Sequence, residues 1–316
     1  MSKKKDIWKD QYVKEIFRMD ATKEQVEAAL RLKEKNIPKY LYKYRAVNSF
    51  SIDNLKDDSV WIGQASRMND PYDCAITLNQ ETFLNTFCSI LGYELLKFDD
   101  MKKLRREGAS PYALKKFEKN IDDILKQTRR ELENSYKENI ERMLISLQNQ
   151  TYISCFSEKS DSMLMWSHYA NNHEGFCLEY EFSNSKVDRG LRETITPVIY
   201  SEKLIDMSEQ FAYLVQDDSS SKRIALQAVI NKAVEWAYEK EWRIVQFLPN
   251  NEPGYNLIFF KPKSIYLGTK IDKQDKESLM EIAQEKGINV FQMKMNRNEF
   301  KLIPSPEKIY SNDFIK

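Results

Sequence analysis

One segment, residues 152–182, constrains the fold of this chain more than any other, because it encodes a strand, a helix and a second strand in succession. Residues 152–156 form a short run of β-type residues, and a helix is predicted over residues 163–169. Gly175 then allows the chain to turn into a second strand at residues 176–182. This order places polar groups at both ends of the helix, where functional sites are often built.

The second strand of this segment has two chemically different faces. Its apolar side chains alternate with a cysteine and two acids: Phe176, Leu178, Tyr180 and Phe182 against Cys177, Glu179 and Glu181. Successive side chains of a strand point to opposite faces, so the apolar set is predicted to face the core. Residues 40–45 alternate in the same way, with three tyrosines against Leu41, Lys43 and Arg45, so that Arg45 ends a strand.

The composition is that of a soluble globular protein. Of the 316 residues, 41% are hydrophobic and 31% are charged, and the net charge of +1 provides no general attraction to nucleic acid or to a membrane. No apolar run approaches the ~20 residues that span a bilayer, and the basic start lacks the apolar stretch of a signal peptide. We therefore expect a cytoplasmic protein without membrane contact. Its four cysteines are widely spaced, which favours neither a disulfide scaffold nor a cysteine zinc site.

The remaining patterns predict an α+β fold with a mixed, mostly antiparallel sheet. We predict a helical N-terminal appendage over residues 1–38 and a single α+β domain over residues 39–316, with a helical insertion at 80–150. A helix is also predicted over residues 222–240, directly before a strand that begins near Glu241. The chain has no GxGxxG motif and no P-loop, so the standard nucleotide-binding folds have no support.

Several short motifs punctuate the predicted domain. They are LYKYR at 41–45, NDPYD at 69–73, CFSE at 155–158, MWSHYANNHEGF at 165–176, YEKEWR at 238–243 and IYLG at 265–268. Together they resemble an uncharacterised bacterial family that carries a domain-of-unknown-function label. The resemblance implies that relatives occur near phage-defence or toxin-like genes. The family label carries no activity, so the resemblance identifies positions but not their chemistry.

Three of these elements also resemble, loosely, the arginine, serine and glutamate elements of NAD-dependent ADP-ribosyltransferases. They are Arg45 at a strand end, the SCFS strand at residues 154–157, and the EKE sequence at residues 239–241. The resemblance implies that NAD is a substrate and that no cofactor is tightly bound. We also expect no stoichiometric metal, because the sequence has no compact set of cysteine or histidine ligands. It departs from the family in the serine element, which reads SCFS where the family has STS.

The chemistry of NAD cleavage explains why these residue types are needed. A developing oxocarbenium cation is stabilised by a carboxylate near the sugar, which assigns Glu241 as the catalytic carboxylate and Glu239 as a partner that activates the acceptor. The remaining candidates are His168 as a catalytic residue, Arg45 for the pyrophosphate, Ser154 and Ser157 for the ribose, Tyr169 to stack on nicotinamide, and Asn69, Asp70 and His173 as further substrate-binding residues. The acceptor is expected to be a nucleic acid or a protein, and an inhibitory partner protein is expected to restrain toxicity.

Each candidate also has a structural explanation. Arg45 would be an ordinary strand-end arginine paired with a carboxylate, Glu239 and Glu241 solvent-facing strand positions, and Asp70 a turn cap. The two histidines would be structural residues bonded to backbone.

Two other classes of function stay open. His168 and His173, with Asp70, Asp73 or Glu179, would make a metal-dependent nuclease, and Cys177 with His168 would make a thiol nucleophile. The third class is a non-enzymatic nucleotide-binding or partner-binding defence module. Bound metal would favour the nuclease, and NAD turnover would favour the transferase.

Overall fold

The computed structural model describes residues 7–18, 20–97, 103, 106–182, 189–213, 218–249 and 252–307. The α-helices with defined bounds are α1 Ile7–Ile16, α2 Lys23–Asn36, α3 Ser49–Lys56, α4 Gln80–Lys97, α5 Pro111–Gln150, α6 Met163–Tyr169, α7 Arg189–Thr194, α8 Ser208–Tyr213, α9 Asp218–Ile230 and α10 Lys273–Lys286. The strands are β1 Tyr40–Arg45, β2 Ser59–Gln64, β3 Ile76–Thr77, β4 Thr151–Ser157, β5 Phe176–Glu181, β6 Ile195–Pro197, β7 Ile199–Ser201, β8 Ile205–Asp206, β9 Asn231–Ala233, β10 Glu241–Phe247, β11 Gly254–Ile258, β12 Ser264–Leu267, β13 Asn289–Met295 and β14 Leu302–Pro306.

The architecture is α+β, as predicted, and is built on one large sheet. Its strand order is β11-β2-β4-β1-β5-β12-β13-β14, with β10 along the second edge of β4 and β6 beyond β10. Among the described pairings of this sheet, β12 with β13 is parallel and the others are antiparallel. The prediction of a mixed, mostly antiparallel sheet is confirmed.

The sheet contains a gap beside β4. Strand β10 pairs with β4 along its whole length, from Ser157 to Thr151. The opposite edge of β4 is shared by two strands, because β1 pairs with it at Ser157 and β2 pairs with it at Ile153 and Tyr152. The middle of this edge, residues 154–156, therefore has no partner among the described strands, and β1 and β2 diverge around it.

The two faces of the sheet bury different sets of side chains. The main core lies on the face that carries Leu41, Phe156 and Trp242, and includes Phe176, Leu178, Tyr180 and Phe182 as the alternation predicts. The other face buries an aromatic cluster around Tyr44, Trp166 and Tyr266. Burial of a large aromatic or aliphatic side chain contributes on the order of 2 kcal/mol, so these clusters fix the orientation of β1 and β5.

The N-terminal helices pack against the sheet domain. Trp8 of α1 stacks on Trp242, with ring centroids 6.0 Å apart and planes 22° apart. In α2 the buried Lys33 ammonium donates to the carbonyl oxygen of Glu193 at 2.7 Å. The predicted domain boundary at residue 38 stays a prediction, and residues 1–6 and residue 19 of the predicted appendage lie outside the described residues.

Some predicted element bounds are wrong. Residues 231–239, predicted as the end of a long helix, instead form β9 and a 3-10 helix over Val234–Glu239. Strand β9 pairs with β7, which is about thirty residues earlier, and this long-range pairing overrides the local helical pattern. The helical insertion is present as α4 and α5, which contact each other. Across the described part of the chain, no helix combines the length and apolarity needed to cross a bilayer.

Candidate functional site

A cavity of about 420 Å³ opens at the gap between β1 and β2. Its volume lies in the range of small-molecule binding sites. The floor is the unpaired edge of β4, formed by Ser154, Cys155 and Phe156, and Trp61 of β2 contributes an aromatic wall. The cavity therefore exists because two strands compete for one edge of β4 and leave its middle uncovered.

Most of the residues predicted to form the site line this one cavity, although they are far apart in the chain. They are Arg45, Asn69, Ser154, Ser157, Tyr169, Glu239 and Glu241. Three other predicted site residues, His168, Asp70 and His173, do not line it. The structure thus brings the arginine, serine and glutamate elements together, while the roles assigned to them stay predictions.

The arginine and the glutamates reach the cavity from opposite faces of the sheet. Glu241 pairs with Ser157, and Ser157 pairs with Tyr42, so these three side chains share one face. Arg45 is three positions from Tyr42 in β1, which puts its side chain on the other face. Both line the same cavity because the sheet is open between β1 and β2.

A hydrogen-bonded network runs along the carboxylate side of the cavity. The amide nitrogen of Asn69 donates to the Tyr169 hydroxyl at 3.3 Å, and this hydroxyl donates to the Glu239 carboxylate at 2.6 Å. The Lys232 ammonium bridges the two glutamates, at 2.7 Å from Glu239 and 3.0 Å from Glu241. The network thus holds both carboxylates in fixed positions at the cavity wall.

Arg243 continues the network on the far side of Glu241. Its guanidinium donates to the Glu241 carboxylate at 2.8 Å and to Asp73 at 2.6 Å. It also donates to the backbone carbonyl oxygen of Val229. Asn69 and Asp73, at the two ends of the NDPYD motif, therefore terminate the two ends of one network.

The network places three buried carboxylates against two buried cations. The side chains of Glu239 and Glu241 are each 3% exposed, and that of Lys232 is 2% exposed. The interpretation of both glutamates as solvent-facing strand positions is therefore wrong. With all five groups ionised the network would carry one negative charge in excess, and burial accordingly raises the pKa of Asp73 and of Glu239.

The two glutamates differ in their affinity for protons. Burial by itself raises the pKa of Glu241, but the adjacent Arg243 and Lys232 outweigh burial and lower this pKa to about 2. Burial and the neighbouring Glu241 raise the pKa of Glu239 above its ordinary value. Glu241 is therefore ionised at neutral pH, whereas Glu239 is the better proton acceptor of the two.

Lys43 fills part of the gap beside β4. Its buried ammonium donates to the Ser154 hydroxyl at 2.8 Å and to the Cys155 carbonyl oxygen at 3.0 Å. Burial, and then the charge of Arg45, lower the pKa of Lys43 to about 7. No carboxylate of the described residues lies within 4.0 Å of this ammonium, so its charge is not neutralised by an ion pair.

Arg45 is the second cation of β1 at the cavity. Its side chain is half-buried, and burial lowers the pKa of its guanidinium. Within the described ranges it forms no ion pair, so the interpretation of Arg45 as a strand-end arginine paired with a carboxylate is not supported. A partly desolvated guanidinium without a counter-ion is suited to an anionic ligand.

The two predicted serines make different contacts. The Ser154 hydroxyl accepts its hydrogen bond from the Lys43 ammonium. Ser157 donates to the Glu239 carbonyl oxygen at 2.5 Å and accepts from the backbone amide of Lys159 at 3.1 Å. Ser157 therefore positions the backbone that carries Glu239.

The two histidines lie in different surroundings and outside this cavity. His168 is exposed and packs against the rings of Trp236 and Tyr238. His173 stacks on Trp166, and its Nε2 atom lies 3.1 Å from the Ser167 hydroxyl. They separate because helix α6 ends between them and the next residues, including His173 at φ +73°, adopt left-handed backbone.

The other predicted functional sets are not assembled. Among the described residues, no group of three or more His, Cys, Asp or Glu side chains is arranged to hold a metal ion. Asp70 caps its turn by accepting from the Tyr72 amide at 2.9 Å, as its structural explanation expects, and its role in substrate binding stays a prediction. Cys177 is fully buried, and burial raises its thiol pKa well above the ordinary value, which removes the thiol-nucleophile hypothesis. All four cysteines are free.

Comparison with known proteins identifies one family. Residues 165–244 match the model of a family described as a protein of unknown function (DUF2971). The matched segment contains the MWSHYANNHEGF and YEKEWR motifs, so similarity to a domain of unknown function is confirmed for this part of the chain. No curated protein and no solved structure matches the chain.

Three residues of the site were missed in the sequence: Lys43, Lys232 and Arg243. The burial of Lys43 was predictable from the sequence, because the alternation of β1 places Lys43 on the same face as the buried Leu41. Lys232 is a single lysine in a largely apolar run, which indicates a buried cation only if its carboxylate partners are known. Arg243 is two residues after Glu241, a spacing that puts both on one face of a strand.

Proposed function

We propose that this protein cleaves NAD between nicotinamide and ribose, and transfers the ADP-ribose to an acceptor as an ADP-ribosyltransferase or to water as an NAD glycohydrolase. The observation that carries the proposal is the charge distribution of the cavity. On one side of the cavity, β1 provides Lys43 and Arg45, which have no counter-ion among the described residues. On the other side lie the carboxylates of Glu239 and Glu241, and the edge of β4 runs between the two sides. NAD cleavage requires both kinds of charge.

The cations suit the anionic part of the substrate. Arg45 and Lys43 would bind the pyrophosphate, Arg45 through two parallel hydrogen bonds and Lys43 as a point charge. Arg67, an exposed residue at the rim, adds a third cation. Binding an anion would provide the counter-charge that the described part of the protein does not place beside Lys43 and Arg45.

The carboxylates suit the reacting sugar. As the glycosidic bond breaks, positive charge develops on the ribose, and Glu241 would stabilise it because its own low pKa keeps it ionised. Glu239, whose pKa is raised, would accept a proton from the incoming acceptor or water. Tyr169 would contact the nicotinamide ring while its hydroxyl orients Glu239.

The biological setting follows as part of the same proposal. An enzyme of this type would act as a toxin or phage-defence effector, and an inhibitory partner protein would restrain it. The acceptor would be a nucleic acid or a protein.

The test is nicotinamide release from NAD by purified protein, comparing wild type with Glu239→Gln. Glutamine preserves the size of the side chain and its bond to Tyr169 but cannot take up a proton, so release should fall by about a hundredfold or more. Glu235→Gln is the matched control, because Glu235 is exposed and four residues earlier, and it should leave release unchanged. Equal release by both variants would contradict the assigned role of Glu239.

Two outcomes would replace the proposal. NAD binding without nicotinamide release, in the presence and absence of cell extract, would make the protein a non-enzymatic nucleotide-binding module. If the protein neither binds NAD nor releases nicotinamide from it, NAD is not the ligand of this cavity.

A further inference from the structure

A second cavity, of about 450 Å³, lies beside the hairpin that joins β13 to β14. It is lined by the hairpin residues 295–302, by Thr269 and Lys270 after β12, and by Met163 and His173. None of these residues takes part in the carboxylate network of the first cavity. The proposed NAD chemistry therefore leaves this cavity without a function.

The hairpin cavity has an excess of positive charge. Lys270, Arg297 and Lys301 line it, and Glu299 is its one acid. In the part of the chain that the structure describes, none of these three cations lies within 4.0 Å of a carboxylate. Exposed cations without partners are available to phosphate groups.

His173 contributes an uncharged ring to the same cavity. Its Nδ1 atom is buried, and its Nε2 atom lies 3.1 Å from the Ser167 hydroxyl. Burial, and then the charge of Lys270, lower the pKa of His173, so the positive charge of the cavity comes from its lysines and arginine.

An aromatic ring stands at the tip of the hairpin. Phe300 is 98% exposed and is next to Lys301 in the chain. A fully exposed phenylalanine contributes nothing to the core, whereas an aromatic face beside cations is the usual platform on which bases of single strands stack.

A third cavity, of about 410 Å³, is adjacent to both the hairpin cavity and the cavity at the sheet gap. It shares Tyr42 with the cavity at the sheet gap, and it shares Asn296, Glu299, Lys301 and Leu302 with the hairpin cavity. A strand bound at the hairpin would therefore lie on the side of the molecule from which Tyr42 borders the cavity at the sheet gap.

We propose that the hairpin cavity binds a single-stranded nucleic acid, with a base stacked on Phe300 and its phosphates on Lys270, Arg297 and Lys301. The role of this strand as the acceptor of ADP-ribose rests on the proposed function, whereas its binding does not. The neighbouring exposed aromatic and cations match the alternating bases and phosphates of a strand.

The test is fluorescence anisotropy of a labelled oligothymidylate of about 12 nucleotides with the full chain, without NAD, in about 50 mM salt. Phe300→Ala should weaken binding at least about fivefold, because the stacking platform for one base is removed. Tyr112→Ala is the matched control, since Tyr112 is a 78% exposed aromatic on α5 and should leave affinity unchanged.

A second variant tests the phosphate-binding residues. The double change Lys270→Glu and Arg297→Glu should weaken binding and reduce the salt dependence of the logarithm of the affinity by about 0.7 for each phosphate that is no longer neutralised. Lys115→Glu, at an exposed position of α5, should do neither.

No binding by wild type, or equal reductions in affinity for Phe300→Ala and Tyr112→Ala, would overturn the inference. Binding of a protein partner that Phe300→Ala abolishes, without oligonucleotide binding, would overturn it in favour of a protein acceptor. The binding assay contains no NAD, so its result does not depend on the proposed function. Oligonucleotide binding, together with no nicotinamide release in the separate assay with NAD, would refute the proposed function alone.

Discussion

Replacement of Glu241 by glutamine perturbs the centre of the buried network. The substitution preserves the size of the side chain but removes the charge that faces Arg243 at 2.8 Å and Lys232 at 3.0 Å. Since both cations stay buried, each is deprived of a counter-ion that it cannot replace with water. We therefore expect Glu241→Gln to destabilise the fold.

The magnitude follows from the pKa of Glu241. The folded protein lowers this pKa from 4.5 to about 2, and each unit corresponds to about 1.4 kcal/mol, so the ionised form contributes roughly 3 kcal/mol to the free energy of unfolding. Because the folded pKa is lowered, this contribution is present above about pH 4.5 and disappears as the pH falls through about 2. Glutamine would remove it at neutral pH.

Urea denaturation of wild type and Glu241→Gln measures this difference. At about pH 7 the free energy of unfolding of the variant should be lower by roughly 3 kcal/mol, and the difference should shrink as the pH falls below about 4.5. Glu239→Gln is the control, because burial and Glu241 raise the pKa of Glu239 and its charge is unfavourable in the fold at neutral pH. It also removes a counter-ion of Lys232, at 2.7 Å, but leaves Arg243 paired, so it should lower stability by clearly less than Glu241→Gln.

Equal stability of Glu241→Gln and wild type at neutral pH would refute this reasoning, since a surface glutamate behaves in that way. A destabilisation that stays constant down to about pH 3 would refute the electrostatic explanation and indicate a packing effect instead.

Three further predictions concern the cavity, the loop after α6 and the N-terminus. The pKa of Lys43 is about 7 and its ammonium form predominates below that value, so pyrophosphate affinity measured by calorimetry should fall as the pH rises from about 6 to 8, and Lys43→Met should remove this dependence. Gly268→Ala should lower the free energy of unfolding by about 2 kcal/mol or more, because a Cβ there would overlap the carbonyl oxygen of His173; an unchanged melting curve would contradict that packing. Trp8→Ala should cost about 2 kcal/mol because the indole ring no longer packs on Trp242, and unchanged stability would make α1 a separate appendage.

The parts of the fold that were predictable from sequence are those that depend on local pattern. Alternation in β1 and β5 assigned each side chain to the correct face. Gly175 precedes β5 as predicted, but it is needed for close packing rather than for its backbone freedom, because a Cβ there would overlap the carbonyl oxygen of Arg45. Local pattern also identified the short motifs, most of which meet at one cavity.

The parts that were not predictable depend on long-range pairing. The cavity exists because β1 and β2 share an edge of β4, and nothing within 40–64 encodes that competition. The ion pair between Asp73 and Arg243 joins residues 170 positions apart, and the bridging role of Lys232 emerges only when β9 pairs with β7. The helical periodicity at 231–239 is overridden by that pairing.

Whether the gap beside β4 is an NAD site can be determined directly by a crystal structure with a non-hydrolysable NAD analogue. We predict density in this cavity, with the pyrophosphate within hydrogen-bond distance of the Arg45 guanidinium and the nicotinamide ribose beside Glu241. Density for the analogue at another site, or an empty cavity at saturating concentration, would show that this gap does not bind NAD.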